Sequence, residues 1–456
     1  MASRVVLLRM HTRFINPSGF VENLPAAQLV ENSLKDTFRT VAEQYGYTPL
    51  ETASVEYLET LASKGDIDKE VYTIGRALAE RDASDEADRG LHFDLTVPFA
   101  RYVAQHQGEL TFPFRRYQVQ KVWRGERPQQ GRFREFYQAD IDVVARDTLP
   151  LSFDGEVITV MARILSRFAI GSCTIHINHR QLLTALVEAA GITPSTAVLQ
   201  TIDKLDKLGE ARVKAELQEA QGASNDSVAQ LFAWIGQPVE AVSLEEYFAT
   251  LPSAEEATPL AQAQAELRAI FAYLDQVESI EGVRFVLNPA VARGLDYYTG
   301  TVVETTLDGY EQYGSICSGG RYADLAGRFT NQTLPGVGLS IGLTRLLSII
   351  QTEGLRPLER SSMSDVLVCL LDPAGLPAAI ELAEALRHHG YRVEQVYKHK
   401  QPLSKQLALA ASRGIPHVVL AEADGTTTLY PLRKDEEKVR CATLVQLLEQ
   451  LSPQTT

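Results

Sequence analysis

The chain has 456 residues, 22% of them charged and 45% hydrophobic, and a formal net charge of -14. That length implies two to four domains with ample core, in the composition range of soluble globular proteins. No apolar run reaches the roughly 18 residues a membrane span needs, and the acidic balance excludes a surface coated for non-specific nucleic-acid binding. Met1 to Arg9 holds an apolar core too short for a secretory signal. Cys173, Cys317, Cys369 and Cys441 are far apart, with no Cys-x-x-Cys pair. Neither a disulfide framework nor a zinc site follows, and a reducing cytoplasm is expected.

Asn16-Pro17-Ser18-Gly19 has turn chemistry. Ala26 to Tyr45 reads as an amphipathic helix with Leu29, Val30, Leu34, Phe38 and Val41 on one face, and Gly46 as its stop. Tyr47 to Leu50 is a short strand entry. Leu91 to Val97 reads as a strand, with Pro98 opening a helix. Phe114 to Trp123 and Phe133 to Val144 alternate as two strands of a long antiparallel hairpin around the loop Gly125 to Gly131. This hairpin carries Arg115, Arg116, Lys121, Arg124, Arg127, Arg132 and Arg134 against Glu126 and Glu135. It is either a local basic groove or a solvated hairpin face.

Asp154 to Phe168 is helical, Thr174 to Asn178 a strand, and Arg180 to Ala190 a helix. From about Gly191 to Glu281 the pattern is almost entirely helical, an insertion between two parts of one sheet domain. Strands resume at Val283 to Leu287, and Leu334 to Ile350 is a strand followed by a helix. Past the polar linker Gly354 to Ser364, strands at Asp365 to Leu371, Tyr391 to Val396 and His417 to Ala421 alternate with helices at Ala374 to His388, Ser404 to Arg413 and Cys441 to Leu451. That alternation implies a small α/β domain with a largely parallel sheet.

The densest chemistry lies in Arg293-Gly294-Leu295-Asp296-Tyr297-Tyr298-Thr299-Gly300, a cation beside paired phenols. Such a run suits an anionic ligand with a flat polar ring, or a β-hairpin with two core tyrosines. Asp94 and Thr96 lie two apart, which on a strand puts them on one face. Phe136, Gln138, Asp140 and Asp142 share a face of the second hairpin strand. Arg345 follows a glycine-relieved turn, Gly338 to Gly342. Of the 9 histidines, His388-His389 are adjacent and His176 and His179 are three apart, with no carboxylate near in sequence. Surface or packing roles account for them better than a metal.

The set resembles a class II aminoacyl-tRNA synthetase. Arg124 and its strands look like the second signature motif of that class, and Arg345 like the third. The Arg293 run and Ser318-Gly319-Gly320-Arg321-Tyr322 look like the two segments peculiar to histidyl-tRNA synthetase. The likeness covers nearly the whole chain. It implies an α+β fold: a class II antiparallel-sheet catalytic domain over residues 1–363, interrupted at about 191–281 by the helical insertion. An α/β anticodon-binding domain would occupy 364–456.

The resemblance further implies an ATP-dependent, AMP-forming histidine–tRNA ligase. It would form histidyl-adenylate and then charge the 3′ end of tRNA(His), with Mg2+ bound mainly through the ATP phosphates. Such chemistry is mostly positioning and charge neutralisation. By resemblance, Arg124 clamps the α-phosphate and reacting carboxylate, and Arg293 approaches the α-phosphate from the other side. Arg345 stacks on adenine opposite Phe136 and reaches the γ-phosphate, with Glu126 at the nucleotide end. Asp94, Thr96 and Gln138 cradle the α-ammonium, and Asp142 and Tyr298 hold the imidazole. Tyr297 and Tyr322 line the same pocket or pack beside it. Arg127, Gln129 and Arg132 meet the acceptor end of tRNA. Lys398, Lys400, Lys405 and Arg413 form an anticodon-side patch or a solvated helix face. A homodimer is implied as well.

Thr344 stands where the family usually has glutamate, and Pro17 to Pro25 departs from the usual Pro-Arg-Gly-Thr form. A Gly-Phe pair there also occurs in the alternative relative, the synthetase-like, non-catalytic regulatory subunit of ATP phosphoribosyltransferase. That line generally lacks the C-terminal domain and degrades the Arg293 run, both of which this chain keeps.

Overall fold

The computed structural model describes residues 15–62, 71–75, 88–129, 131–253, 258–292, 298–324, 326–327, 329–358, 360–396, 401–422, 424–432 and 437–451. They fall into two compact units, one drawn from Met1–Glu22 and Ser33–Leu355, the other from Asn23–Asn32 and Arg356–Thr456.

The first unit opens with α1 (Pro25–Gln44), whose later part belongs here, then β1 (Thr48–Pro49), β2 (Val55–Tyr57) and α2 (Leu58–Leu61). Next come β3 (Thr73–Ile74), β4 (Arg89–Leu91) and α3 (Thr96–His106). β2, β4 and β3 form a small antiparallel sheet that the sequence pattern did not announce. β5 (Phe114–Trp123) and β6 (Glu135–Val144) form the hairpin, paired from Phe114 opposite Val144 to Trp123 opposite Glu135. α4 (Ser152–Arg167), β7 (Cys173–His179) and α5 (Arg180–Ala189) follow.

The insertion comprises α6 (Thr196–Ile202), α7 (Leu205–Leu208), α8 (Glu210–Glu219), α9 (Asn225–Ile235), β8 (Val239–Glu240), α10 (Leu244–Thr250) and α11 (Pro259–Asp275). Three of its helices are capped by hydroxyls: Ser195 accepts from the Val198 amide, Ser224 from Ser227 and Thr258 from Ala261. Pro259 sits at the first position of α11, where no amide donor is needed. The chain returns through β9 (Val283–Leu287), β10 (Thr301–Leu307), β11 (Cys317–Tyr322), β12 (Gly336–Gly342) and α12 (Leu343–Glu353).

Among the described residues the large sheet has the order β1-β5-β6-β12-β11-β10-β7-β9-β8. An antiparallel sheet was expected. Its centre is antiparallel, but β1 pairs parallel with β5 and β9 parallel with β7. Both parallel partners are separated by long connections, which parallel pairing requires and hairpins cannot supply. The expected strand Leu91 to Val97 also ends early. The Asp94 carboxylate accepts the Val97 amide at 3.0 Å, and the chain is helical from Thr96. Asp94 and Thr96 therefore do not share a strand face.

One face of this sheet is apolar. Ala139, Ile141 and Val143 of β6, Val337, Leu339 and Ile341 of β12, and Ile175 and Ile177 of β7 are all buried. α4 and α12 pack against this sheet. The other face carries the polar rungs described below.

The second unit contains β13 (Val366–Cys369), α13 (Leu376–His388), β14 (Val393–Gln395), α14 (Leu403–Arg413), β15 (His417–Ala421), β16 (Thr427–Tyr430), β17 (Val439–Cys441) and α15 (Leu444–Gln450). Strand order is β14-β13-β15-β16-β17, with β13 parallel to both neighbours. Val366 and Val368 face one apolar cluster while Leu367 and Cys369 face the other. Burial on both sides is why this strand reads as a continuous apolar run. The sequence reading placed Cys441 in a helix; it pairs with Thr427 in the antiparallel edge β16–β17.

Asp365 ties this unit together at the base of β13, accepting from Arg392 at 2.8 and 2.9 Å and from Arg360 at 3.1 Å. Burial alone would raise its carboxyl, but these guanidiniums and the Arg392 amide outweigh it and hold the group at about 2. The stabilisation is fully present above the unfolded carboxylate range, near 3.9, and is lost as pH falls through about 2. Discounting for solvent, it is worth about 1–2 kcal/mol. Asp365→Asn should lose that amount at neutral pH and flatten the acid limb of unfolding, read by denaturant melts between pH 2 and 7. An unchanged acid limb would refute it.

Candidate active site

Residues directly opposite one another across a ladder project to the same face. The register therefore defines two polar rungs. One runs Arg116, Asp142, Gly338, Gly320, Val302, Asn178 across β5, β6, β12, β11, β10 and β7. The next runs Gln118, Asp140, Ser340, Ser318, Glu304, His176 on the same strands. Gln138 lies opposite Gly342 in the third rung, and Phe136 opposite Val122 in the fourth. The shared face expected for Phe136, Gln138, Asp140 and Asp142 is what alternation along β6 produces.

Two glycines in the first rung make room for the larger groups. A Cβ on Gly338 would lie 2.0 Å from the Asp142 Oδ1, and one on Gly320 would lie 2.3 Å from the Thr301 carbonyl and 3.0 Å from the Tyr298 ring. Asp142 sits beneath them, 5% exposed. Its Oδ2 is 2.6 Å from the Arg116 Nη2, and its Oδ1 accepts from the Tyr322 hydroxyl at 3.2 Å. Tyr322 is fully buried, and its phenol is pushed well up by burial and then by Asp142. The Tyr298 phenol is also pushed up, first by burial and then by the carboxylates Asp142, Asp140 and Asp94. Both hydroxyls thus remain protonated donors.

Gln138 donates its Nε2 to the Ser340 hydroxyl at 2.8 Å, and that hydroxyl donates to Asp140. The Gln138 Oε1 is buried with no hydrogen-bond partner among the described residues. A buried acceptor left without a donor is costly unless a ligand supplies one.

Arg124 is half-buried, with its Nε donating to the Phe93 carbonyl at 3.1 Å and its guanidinium 5.1 Å from the Phe136 ring centroid. Arg345 donates to the Tyr313 carbonyl, and a Cβ on Gly131 would lie 3.7 Å from its Cγ, so the hairpin loop lies against it. Thr344 accepts the Tyr137 amide at 2.9 Å, joining the first turn of α12 to β6. Glu126 pairs with Arg132, and the Gln129 and Arg132 backbones bridge at 3.1 and 2.9 Å. Arg127 and Gln129 are exposed. Arg293 and Tyr297, with Lys398 and Lys400, lie outside the described residues. Lys405 is exposed, and Arg413 is paired with Glu394.

The hairpin's basic character is largely neutralised by partners that linear reading did not assign. Arg115 pairs with Glu156 at 3.0 Å, Arg116 with Asp142 and Lys121 with Glu135 at 2.5 Å, while Arg134 donates to backbone carbonyls. His179 likewise has a carboxylate after all: its Nε2 is 3.0 Å from Glu266 of α11, 87 residues away. Arg321, in the glycine-rich motif, turns from the pocket to clasp the buried Asp154. Arg116 and Ser340 are site residues that the sequence reading passed over. The alternation that singled out Asp140 and Asp142 could have found Arg116, given the hairpin register. Among the described residues no group of three or more His, Cys, Asp or Glu is arranged to hold a metal. No described helix is long and apolar enough to cross a membrane.

The family profile described as histidyl-tRNA synthetase matches residues 19–346, most of the chain and all of this site. The chain belongs to the histidyl-tRNA synthetase family. It is 43% identical over 409 residues to the histidine–tRNA ligase of Thermobifida fusca, covering 89% of this chain and 92% of that one. With the Micrococcus luteus histidine–tRNA ligase it shares 44% over 411 residues, 88% of each. The crystal structure of histidyl-tRNA synthetase from Nostoc sp. PCC 7120 superposes with a TM-score of 0.84 at 37% identity, over 96% of this chain and 98% of that one. A Bacillus halodurans structure titled as an ATP phosphoribosyltransferase regulatory subunit/histidyl-tRNA synthetase has a TM-score of 0.68 at 22% identity, covering 87% of this chain and 96% of that one. That likeness shows the fold alone. The fold is that of a class II synthetase, and family membership makes the chain a histidine–tRNA ligase rather than the regulatory relative.

Proposed function

We propose that the polar face of the large sheet is where this ligase activates histidine with ATP and holds the adenylate for transfer to tRNA(His). The observation that carries the assignment is the Gln138 Oε1, a buried acceptor without a partner among the described residues on the same face as Asp142. It fits an α-ammonium, with Asp94 and Thr96 beside it. Asp142 and the protonated Tyr298 phenol supply an acceptor and a donor, the pair that an imidazole ring satisfies. Tyr322 donates to Asp142, and Tyr297 is assigned to histidine binding from its place in the Arg293 run.

In the first step the histidine carboxylate attacks the α-phosphorus and pyrophosphate leaves. ATP enters as its Mg2+ complex, a co-substrate. Arg124, held by Phe93 and Phe136, presents a planar fork to the carboxylate and α-phosphate. Arg293 is assigned to neutralise the developing charge, and Arg345 with Phe136 brackets adenine, with Glu126 at that end. In the second step a terminal ribose hydroxyl attacks the aminoacyl carbonyl and AMP leaves. Arg127, Gln129 and Arg132 steer the acceptor end, and the C-terminal α/β domain, read as residues 364–456, takes the anticodon. The catalytic domain is read as 1–363. The enzyme works as a cytoplasmic homodimer.

The test is histidine-dependent ATP–pyrophosphate exchange, followed by charging of tRNA(His). Exchange that requires histidine and no other amino acid is expected. Folded protein without exchange would overturn the site assignment. Asp142→Asn should raise the KM for histidine by about 10²-fold or more, because the charge and one of the two acceptor oxygens are replaced by an amide NH2, while the KM for ATP stays put.

A further inference from the structure

We propose that Arg116 is a specificity-determining positioning residue: it fixes the Asp142 carboxylate in the one orientation that reads the imidazole. The proposal rests on the assignment of Asp142 to the imidazole made above.

Arg116 is 0% exposed, yet it lies on the strand directly opposite Asp142 at the floor of the pocket. Burying a guanidinium is costly, and well-packed apolar groups in its place are often as stable or more so. A ring, an amide and a carboxylate restrain it. The Phe99 ring lies 4.3 Å from the guanidinium carbon. Nη1 donates to the Gln118 Oε1 at 3.0 Å, and Gln118 is itself fixed by donating to Thr52 at 3.0 Å and Gln120 at 2.6 Å. Nη2 then lies 2.6 Å from the Asp142 Oδ2 and 3.9 Å from the Asp140 Oδ2.

The Arg116 guanidinium forms a close ion pair at Oδ2 and the Tyr322 hydroxyl donates to Oδ1, so each oxygen of Asp142 is restrained by a different neighbour. The Gly338 backbone closes the space above. An aspartate so held meets a ring N–H in one geometry and cannot turn to suit another ligand. Only a planar fork can serve Gln118 and Asp142 at once; an ammonium at the same place is a point charge.

Arg116→Lys and Arg116→Met are tested in the full-length enzyme, with Asp142→Asn and the double variant Arg116→Lys/Asp142→Asn. Exchange is measured with histidine and with 2-thiazolylalanine, whose ring lacks the N–H. Arg116→Lys should raise the KM for histidine about 30-fold or more with kcat and the KM for ATP within about threefold, and cut the preference for histidine over thiazolylalanine about tenfold. The double variant should be no worse than Asp142→Asn within about threefold, because the two act as one unit. Equal losses for histidine and ATP with preference retained would make Arg116 structural and overturn the proposal. So would additive losses in the double variant. Lysine keeps the charge, so it answers the question if the methionine variant does not fold. If Asp142→Asn weakens histidine while Arg116→Met binds it normally, the proposal fails alone. If Asp142→Asn leaves histidine binding intact, the assignment of Asp142 fails and the proposal with it.

Discussion

Arg124→Ala should lower histidine-dependent pyrophosphate exchange by about 10²–10³-fold, the loss typical when one preorganised donor to a developing charge is removed. Arg124 is half-buried, so folding should survive its loss. What disappears is an oriented fork: its Nε is fixed by the Phe93 carbonyl and its plane lies near the Phe136 ring. The effect should fall on kcat more than on the KM for histidine, because the charge it meets grows in the transition state. Arg124→Lys should not restore the rate, since a point charge cannot bridge carboxylate and phosphate. Single-turnover adenylate formation within tenfold of wild type would refute this role.

The second large effect is expected at Gly338, where no catalysis occurs. A methyl there would meet the Asp142 Oδ1 at 2.0 Å and the Ile141 carbonyl at 2.7 Å. The carboxylate could swing only by leaving Arg116 and Tyr322, and the carbonyl belongs to the paired strand β6. Gly338→Ala should therefore cost about 3 kcal/mol or more through overpacking and a broken buried ion pair. Any folded fraction should have lost histidine affinity. Gly108→Ala, with nothing within 4 Å of the added carbon, is the matched control and should change stability little. Thermal unfolding and histidine titration of both variants decide the matter; equal melting temperatures would refute the packing argument.

Much of the architecture was legible. Phe114–Trp123, Val283–Leu287 and His417–Ala421 have the bounds their alternation or apolar runs suggested. The stretch read as almost entirely helical from about Gly191 to Glu281 forms α6 to α11 with the short β8 between α9 and α10. Where local reading failed, something distant had intervened. β6 begins at Glu135 rather than Phe133 because the Arg134 amide is taken by the Gly19 carbonyl at 2.8 Å. The chain turns helical at Thr96 because the Asp94 carboxylate accepts an amide there. The short strands β2, β3, β16 and β17 have only two to four residues, too few for a period to show.

The sequence by itself determined the family, most of the elements and the kinds of group brought to the site: guanidiniums, carboxylates and phenols. These follow from periodicities of 2 and 3.6 residues and from motif chemistry, which are local properties. Only the tertiary structure decided which cation meets which carboxylate. The hairpin looked basic in the chain, yet Arg115, Arg116 and Lys121 are matched by Glu156, Asp142 and Glu135 in the folded unit. Register sets the Asp142 and Glu135 partners, and a shift of one residue would turn them to the other face. That is why Arg116 read as one more positive charge, although in the folded sheet it is the buried counterpart of Asp142.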